Sequence, residues 1–494
     1  MKADKKSDIL TIINGAATGA VRKASFMKKL LTVILAAVLL LSAVSCSKKV
    51  DDDGNDANGA SSSEYTREDT ALKSEHFSFS RAEFSYVFYQ NFQDFVVNNK
   101  DNLNAYGLDT SKNLKDQNYF SGDTWFKYFA DATADYMEQL LVFCEAAYEN
   151  GTELTDSEKE EVDAAVQAYV TYAEDNGYNV DQFFSQYYGS DVDAEVMRTF
   201  RSKEALAFKY YNAMLDSYSF TDSDEERFLS ENPDSFYYIN YISYSFSEGN
   251  DRNAEFVADD LSKLSSSEEF YSFVADYQTG KLEKEESDTS ALATTYALKN
   301  ANEFTKWAFE NDAQVGDTYI SSDSVAGEYT VYMLTSRPAL QDYTAKNIRF
   351  VTMSVADYGS YGEAYNKANK ILDSWKASGN TTAESFGELA YNYSSDADTR
   401  YSGGIRENVG KADPTFPEEM INWIFDSSRA EGDTAVIQGN EAYYIVYYSG
   451  DGITEWKNEA KNGLTEQKYL NDYNKLAEKF GTERSDEVIN SMSA

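Results

Sequence analysis

Few side chains in this 494-residue sequence could act as nucleophiles, general bases or zinc ligands. The sequence contains one histidine, His76, and two cysteines, Cys46 and Cys144. A structural zinc site takes four cysteine or histidine ligands, which this chain lacks. A serine hydrolase would have to rely on His76, and no serine stands in a nucleophile elbow. No glycine-rich phosphate loop follows a strand pattern. We therefore expect no hydrolytic or nucleotide chemistry and no cofactor or metal.

The overall charge excludes a further class of partner. The chain has a formal net charge of −40, which repels nucleic acid, so no nucleic-acid partner is expected. Aromatic residues make up 15% of the sequence, led by 39 tyrosines, so the chain has ample apolar surface to fold. Its length is sufficient for two to four domains.

The N-terminal region has the pattern of an export signal. Lys28 and Lys29 precede the apolar run LLTVILAAVLLLSAV, and Cys46 follows directly after small residues. We predict a signal peptide over 1–45, with Met27 as the true start. The stretch before Cys46 resembles the lipobox of bacterial lipoproteins, which implies that Cys46 carries the lipid that anchors the protein to the cell membrane. An ordinary signal peptide or a single anchor helix is the alternative.

Small, polar and charged residues predict a lipid-anchored linker over 46–75. Besides Cys46, the only cysteine in the mature chain is Cys144. It lies in the apolar helical run MEQLLVFCEAA, so we expect a buried, inert thiol and no internal disulfide.

Residues 76–232 contain no proline and have the periodicity of helices. Ser80 with Glu83, and Thr155 with Glu158, predict capping boxes at two helix starts. Phenylalanines at helical spacing form one stripe, which we predict either packs in the core or binds apolar client segments: Phe84, Phe88, Phe92 and Phe95.

A thirteen-residue pattern occurs twice, as KWAFENDAQVGDT (306–318) and NWIFDSSRAEGDT (422–434). The strand patterns INYISYS (239–245) and IRFVTMS (348–354) precede the two copies and match position by position. These ordered matches predict two βα…αβ repeats, over 236–340 and 345–450. The amphipathic pattern of 453–494 predicts a C-terminal helix that packs on the helical domain.

The second repeat resembles parvulin-type peptidyl-prolyl isomerase domains, chiefly in SFGELAYNYSSDADTRYSGG. Together with the helical domain and the C-terminal helix, the arrangement resembles extracytoplasmic foldases of the SurA/PrsA type. This resemblance implies an α+β protein with a SurA-N-like helical chaperone domain followed by two tandem parvulin-like domains. It implies unfolded or newly exported polypeptides as partners.

The resemblance also assigns a vestigial prolyl pocket. The family's two histidine positions correspond to Phe350 and Tyr444, its cysteine or aspartate position to Asp396, and its pocket phenylalanine to Phe416. In the first repeat the histidine positions correspond to Tyr241 and Thr330. We therefore predict a membrane-anchored chaperone with a degenerate isomerase site. The alternatives are an active isomerase that uses the second repeat and a lipoprotein that binds a nutrient or peptide.

The anchor can be tested directly. Replacing Cys46 with serine removes the acceptor thiol, so we expect the mature protein to leave the membrane for the soluble extracytoplasmic fraction. Fractionation of cells measures the location of the protein, and Lys48→Ser is the control. Full membrane retention of Cys46→Ser would contradict the lipoprotein interpretation.

Overall fold

The computed structural model describes residues 65–493 except 101, 120–121, 252, 281–294, 300, 324 and 397. The protein is α+β. Its described residues form two compact units. The first comprises residues up to Tyr218 with Ser394–Gly403 and 465–493, and the second comprises Ser219–Tyr393 with Gly404–Leu464. The predicted signal peptide and Cys46 lie outside the described residues.

The first unit is mainly helical. Its two leading strands are β1 (Thr70–Lys73) and β2 (Ser78–Ser80), and its helices are α1 (Arg81–Asn98), α2 (Trp125–Glu149), α3 (Asp156–Asp175), α4 (Val180–Tyr188) and α5 (Ala194–Asp216). Aromatic side chains fill the core, among them Phe79, Phe129, Phe183, Phe184 and Phe200. Within the described ranges, no helix combines the length and apolar character needed to cross a membrane.

The two predicted capping boxes are confirmed. Ser80 and Glu83 exchange hydrogen bonds at the start of α1, and Thr155 and Glu158 do the same at the start of α3. Each pair satisfies two backbone N–H groups that have no partner inside the helix. This interaction is local, so the sequence alone is enough to predict it.

The second unit contains two antiparallel sheets and opens with the helix α6 (Asp222–Glu231). The first sheet consists of β3 (Tyr237–Ser247), β4 (Thr295–Leu298), β5 (Thr318–Asp323) and β6 (Glu328–Leu334), in the order β4-β3-β6-β5, and β7 (Ala339–Leu340) also pairs with β3. The helices α7 (Ala254–Ser262), α8 (Ser267–Gly280) and α9 (Glu303–Glu310) accompany it.

The second sheet has the same arrangement. Its strands are β8 (Thr344–Ser354), β9 (Ile405–Val409), β10 (Thr434–Gln438) and β11 (Ala442–Thr454), in the order β10-β11-β8-β9. The accompanying helices are α10 (Val355–Tyr358), α11 (Tyr361–Ala377), α12 (Ala383–Tyr393) and α13 (Glu418–Ile424). In the first sheet β3 lies between β4 and β6, and in the second sheet β8 lies between β9 and β11. In both sheets the first strand along the chain therefore lies between the second and the fourth.

The repeated Gly-Asp-Thr sequence forms the same turn in both copies. Gly316 and Gly432 both have φ of +94°, a left-handed conformation that favours glycine. Their N–H groups donate to the carbonyls of Leu334 and Tyr448, at 2.8 and 2.9 Å. The aspartate that follows each glycine accepts a backbone hydrogen bond three residues upstream, at 2.8 and 2.9 Å. The turn therefore fixes where the third strand of each sheet begins.

The strand pairing corrects one sequence alignment. Because Leu334 and Tyr448 hold equivalent places, the pairing of Tyr241 with Leu334 makes Tyr241 the counterpart of Ile348. The counterpart of Phe350 is Ser243, so the predicted match with Tyr241 is wrong by two residues. Side chains alternate with a period of two, so a shift of two residues leaves the inward and outward pattern unchanged.

The C-terminal region contains α14 (Glu455–Lys479), β12 (Glu483–Arg484) and α15 (Asp486–Asn490). Up to Leu464 the helix belongs to the second unit, and from Thr465 it belongs to the first. In the first unit Tyr469 packs against Tyr211, at a ring-centroid distance of 5.6 Å, and β12 pairs with β1. Strand β12 thus joins β1 and β2 in a three-stranded sheet.

Gly404 tests the packing around the second sheet. It has φ of +68°, its carbonyl accepts from the N–H of Phe350 at 2.9 Å, and a Cβ there would lie 2.1 Å from the Phe350 carbonyl oxygen. Gly379 has φ of +75° with nothing within 4 Å of such a Cβ.

We expect Gly379→Ala to lower the free energy of unfolding by about 1–2 kcal/mol through its backbone conformation alone. Gly404→Ala should cost about 1–3 kcal/mol more because it adds a clash. Denaturant unfolding compares the two, and equal losses would contradict the packing argument.

Candidate functional site

The structure brings together three of the four residues of the predicted prolyl pocket. Phe350 lies on β8, Tyr444 on the neighbouring strand β11, and Phe416 two residues before α13. The ring centroids of Phe350 and Phe416 are 5.1 Å apart, and each lies 6.4 Å from that of Tyr444. The two phenylalanines meet edge to face, which is a favourable arrangement of aromatic rings.

These rings fill the space between the sheet and α13. Phe350 is 4% exposed and Phe416 is 6% exposed, whereas Tyr444 is half-buried. Their neighbours are apolar residues of the same core: Ile348, Val409, Met420, Ile424 and Val446. The protein's own side chains therefore pack together at the predicted prolyl pocket.

Asp396 stabilises a turn through hydrogen bonds within its own segment. It lies in Ser394–Gly403, a segment that belongs to the first unit. Its carboxylate accepts hydrogen bonds from the backbone N–H of Thr399, at 2.9 Å, and from the Thr399 hydroxyl. Its own N–H donates to the Ser394 hydroxyl at 3.2 Å. Aspartate is common in such turns because its side chain can bond the backbone a few residues on.

The stripe of phenylalanines on α1 divides into two pairs. Phe84 and Phe88 are 0% exposed and belong to the core of the first unit, so the prediction that they contact clients is corrected. Phe92 and Phe95 lie one and two turns further along and are only partly buried. Other elements cover the start of the helix and leave its end more open.

The open end of α1 belongs to an aromatic cluster that we name the helical aromatic cluster: Phe95, Tyr119, Trp125 and Tyr128. The ring centroid of Phe95 lies 5.3 Å from Trp125 and 6.2 Å from Tyr128, and Tyr119 stacks on Tyr128 at 4.5 Å. Trp125 is buried, whereas Tyr128 is 36% exposed. The cluster thus presents partly exposed aromatic rings to solvent beside α1 and α2.

His76 pairs with a buried carboxylate. Its ring Nδ1 lies 2.8 Å from Oε2 of Glu145, its backbone N–H donates to Oε1 at 2.6 Å, and its ring stacks on Tyr148. Burial favours the neutral acid, yet the hydrogen bonds from His76 and from Ser74 hold the pKa of Glu145 below its ordinary value. These contacts attach the β1–β2 turn to α2.

Cys144 is a free thiol in the core of the first unit. Burial raises the pKa of the Cys144 thiol to about 12, and its Sγ donates to the Lys203 carbonyl at 3.3 Å. The prediction of a buried thiol is confirmed. Among the described residues no three histidine, cysteine, aspartate or glutamate side chains group as metal ligands.

The sequence interpretation missed the end of β9 and the loop that follows it. Asn408 has φ of +54°, its N–H donates to Oδ1 of Asn347 at 2.9 Å, and its own Oδ1 accepts from the N–H of Ile453 at 3.0 Å. The backbone N–H of Lys411 donates to the hydroxyl of Tyr343 at 2.9 Å. An asparagine in a left-handed position is one signal of such a loop, but the partners of Asn408 lie 61 and 45 residues away in sequence.

Glu455 at the start of α14 is a buried acid next to this loop. It is 5% exposed, its Oε2 has no hydrogen-bond partner, and its backbone N–H donates to the Tyr343 carbonyl at 2.9 Å. Burial first, and then the negative charges of Glu459 and Asp413, raise the pKa of Glu455 to about 8, against the opposing hydrogen bond from Asn458. The folded protein therefore keeps a proton here at neutral pH.

Among solved structures, this chain is similar to a bacterial foldase. A crystal structure of the foldase protein PrsA from Streptococcus pneumoniae is 16% identical, with a TM-score of 0.21, over 44% of this chain and 77% of that chain. At these values the likeness establishes no relationship. No family model and no curated protein matches the sequence.

Glu455 predicts a pH dependence of stability. Below the ordinary pKa of 4.5 both folded and unfolded chains hold the proton. Between 4.5 and about 8 only the folded chain holds it, so the free energy of unfolding falls as the pH rises through this window, by at most about 1.4 kcal/mol per pH unit. Glutamine has no proton to lose, so Glu455→Gln should flatten the decline.

Thermal unfolding of the mature chain from pH 5 to pH 9 measures this effect. The control is Glu407→Gln, which changes an exposed glutamate of the same unit. The gap in Tm between Glu455→Gln and the wild type should widen with pH, and that of the control should not. Parallel curves for all three proteins would contradict the assignment.

Proposed function

We propose that this protein is a lipid-anchored extracytoplasmic chaperone related to parvulin-type foldases, whose isomerase site is degenerate. It binds unfolded or newly exported polypeptides through exposed aromatic side chains. The observation that carries this proposal is the helical aromatic cluster, in which partly exposed rings pack on the buried ring of Trp125. Unfolded chains expose apolar side chains and need only such a surface to bind.

The closed pocket of the second repeat supports the loss of catalysis. Prolyl isomerisation requires a pocket that receives the prolyl ring and twists the amide across a barrier of roughly 20 kcal/mol. Here Phe350 and Phe416 pack against each other and are almost fully buried. Neither repeat contains a histidine, and Asp396 is engaged in its own turn.

The proposed location rests on the sequence. The basic start, the short apolar run and Cys46 form an export and lipidation pattern. A lipid on Cys46, followed by a polar linker, would hold the folded units near the membrane from which exported chains emerge. Membrane attachment would thereby raise the local concentration of the chaperone at its clients.

Suppression of aggregation tests the helical aromatic cluster. We expect the mature chain to reduce light scattering by a chemically denatured reporter enzyme after dilution. Tyr119→Ser with Tyr128→Ser removes two rings from the cluster. Losing an aromatic hot spot costs more than about 1 kcal/mol, so roughly fivefold more protein should be needed. The control is Tyr178→Ser, which removes a ring that is 48% exposed but lies outside the cluster.

Two results would contradict this proposal. One is equal suppression by the tyrosine double variant, the control and the wild type. The other is rapid isomerisation of a short proline peptide that falls in Asp396→Ala but not in the neighbouring Asp398→Ala. That second result would assign an active isomerase to the second repeat. Slow or undetectable isomerisation by all variants agrees with a degenerate site.

A further inference from the structure

A cleft of about 430 Å³ opens between the two repeats within the second unit. Asn240 and Tyr296 line it from the first repeat. From the second repeat it is lined by polar and apolar groups, including Lys411, Phe416, Ile421 and Phe425. This volume lies within the range of small ligand sites and accommodates one or two amino-acid side chains.

Lys411 is held in place by aromatic groups. Its Nζ lies 4.7 Å from the ring centroid of Tyr343 and 5.6 Å from that of Phe425. Its backbone N–H donates to the Tyr343 hydroxyl, which also accepts from the Tyr296 hydroxyl at 3.4 Å. The Tyr296 hydroxyl lies 3.0 Å from Oε1 of Gln341. The lysine therefore stands on a preorganised polar and aromatic support.

The ammonium group of Lys411 has no ion-pair partner among the described residues, although the chain is strongly acidic. Two ion pairs lie nearby, Lys346 with Asp451 at 2.5 Å and Arg406 with Asp413 at 3.3 Å, and Glu418 also lines the cleft. Burial, and then the positive charge of Lys346, lower the pKa of Lys411. A partly buried cation without a counter-ion is unfavourable, and an incoming carboxylate would relieve that cost.

The remaining walls combine the acids Asp413 and Glu418 with apolar surface. Phe416 and Ile421 are almost fully buried, so Phe425, the residue after α13, is the more accessible apolar side chain of the cleft. A ligand that satisfies both parts of the cleft combines a carboxylate with a neighbouring apolar group. A peptide segment that contains both fits this description.

We propose that the cleft binds a carboxylate of a client polypeptide at Lys411, with an adjacent apolar side chain against Phe425. The carboxylate is either an aspartate or glutamate side chain or the C-terminus of the client. This inference rests on the proposed function and adds a preference to it: among unfolded segments, those that carry an acid beside an apolar residue bind in this cleft.

Three fluorescent hexapeptides test the ligand chemistry on the mature chain. The first carries Phe-Asp in its centre and an amidated C-terminus. The second carries Phe-Asn and an amidated C-terminus. The third carries Phe-Asn at its end with a free C-terminal carboxylate. We expect the first, the third or both to bind about tenfold more tightly than the second, as for one charge-assisted contact. Fluorescence anisotropy measures the affinities, and the first and third peptides distinguish the two sources of carboxylate.

Variants of Lys411 then localise the preference. Lys411→Gln should abolish the tenfold difference between acid and amide peptides, and Lys411→Arg should retain most of it. The matched control is Lys367→Gln, which removes an exposed lysine that also lies over an aromatic ring, 5.6 Å from the centroid of Tyr393. Phe425→Leu should weaken all three peptides by a similar factor because it reduces the apolar wall.

The outcomes separate this inference from the proposed function. Equal affinities of the wild type for all three peptides would overturn the inference, as would an acid preference that Lys411→Gln retains. If the wild type still suppresses aggregation in either case, the proposed chaperone function stands without this cleft. Loss of suppression in the tyrosine double variant, together with unchanged peptide preference, would show that the two surfaces act independently.

Discussion

The contact between Phe350 and Phe416 decides what the second repeat can do. The two rings meet where β8 faces the segment before α13, and their burial joins the sheet to the helix. A working prolyl site would need that space open and lined with groups that polarise the amide. Here apolar side chains occupy it, and close-packed protein interiors do not readily make room for a ligand. In the function we propose, the packing that stabilises this core is also what closes the prolyl pocket.

The two repeats show how one framework supports different interiors. Both use the same left-handed glycine turn and the same strand order, so the backbone constraints are shared. In the first repeat the counterparts of Phe350 and Tyr444 are Ser243 and Thr330, and the hydroxyl of Thr330 lies 2.7 Å from that of Ser245. The turn and the strand order therefore persist while the side chains between sheet and helix differ.

Sequence reasoning predicted the features that depend on neighbours in the chain. The capping boxes at Ser80 and Thr155 are of this kind. It placed the first-repeat strand two residues out of register, because a period of two cannot detect that shift. It treated four phenylalanines of α1 alike, because a helical stripe does not reveal which turns other elements cover. It missed Lys411, whose support comes from Tyr343 and Tyr296, and no local pattern marks such a set.

The net charge of the chain determines the distance over which the proposed cleft would attract an acidic segment. A net charge of −40 repels acidic clients from a distance, but at physiological ionic strength this repulsion is screened beyond about 8 Å. Lys411 lies against aromatic rings and acts only over the length of a hydrogen bond. Its attraction therefore operates after a client has already touched the protein through apolar contacts. On this reasoning the exposed aromatic rings govern capture of the client, and the lysine governs which segment settles in the cleft and in which orientation.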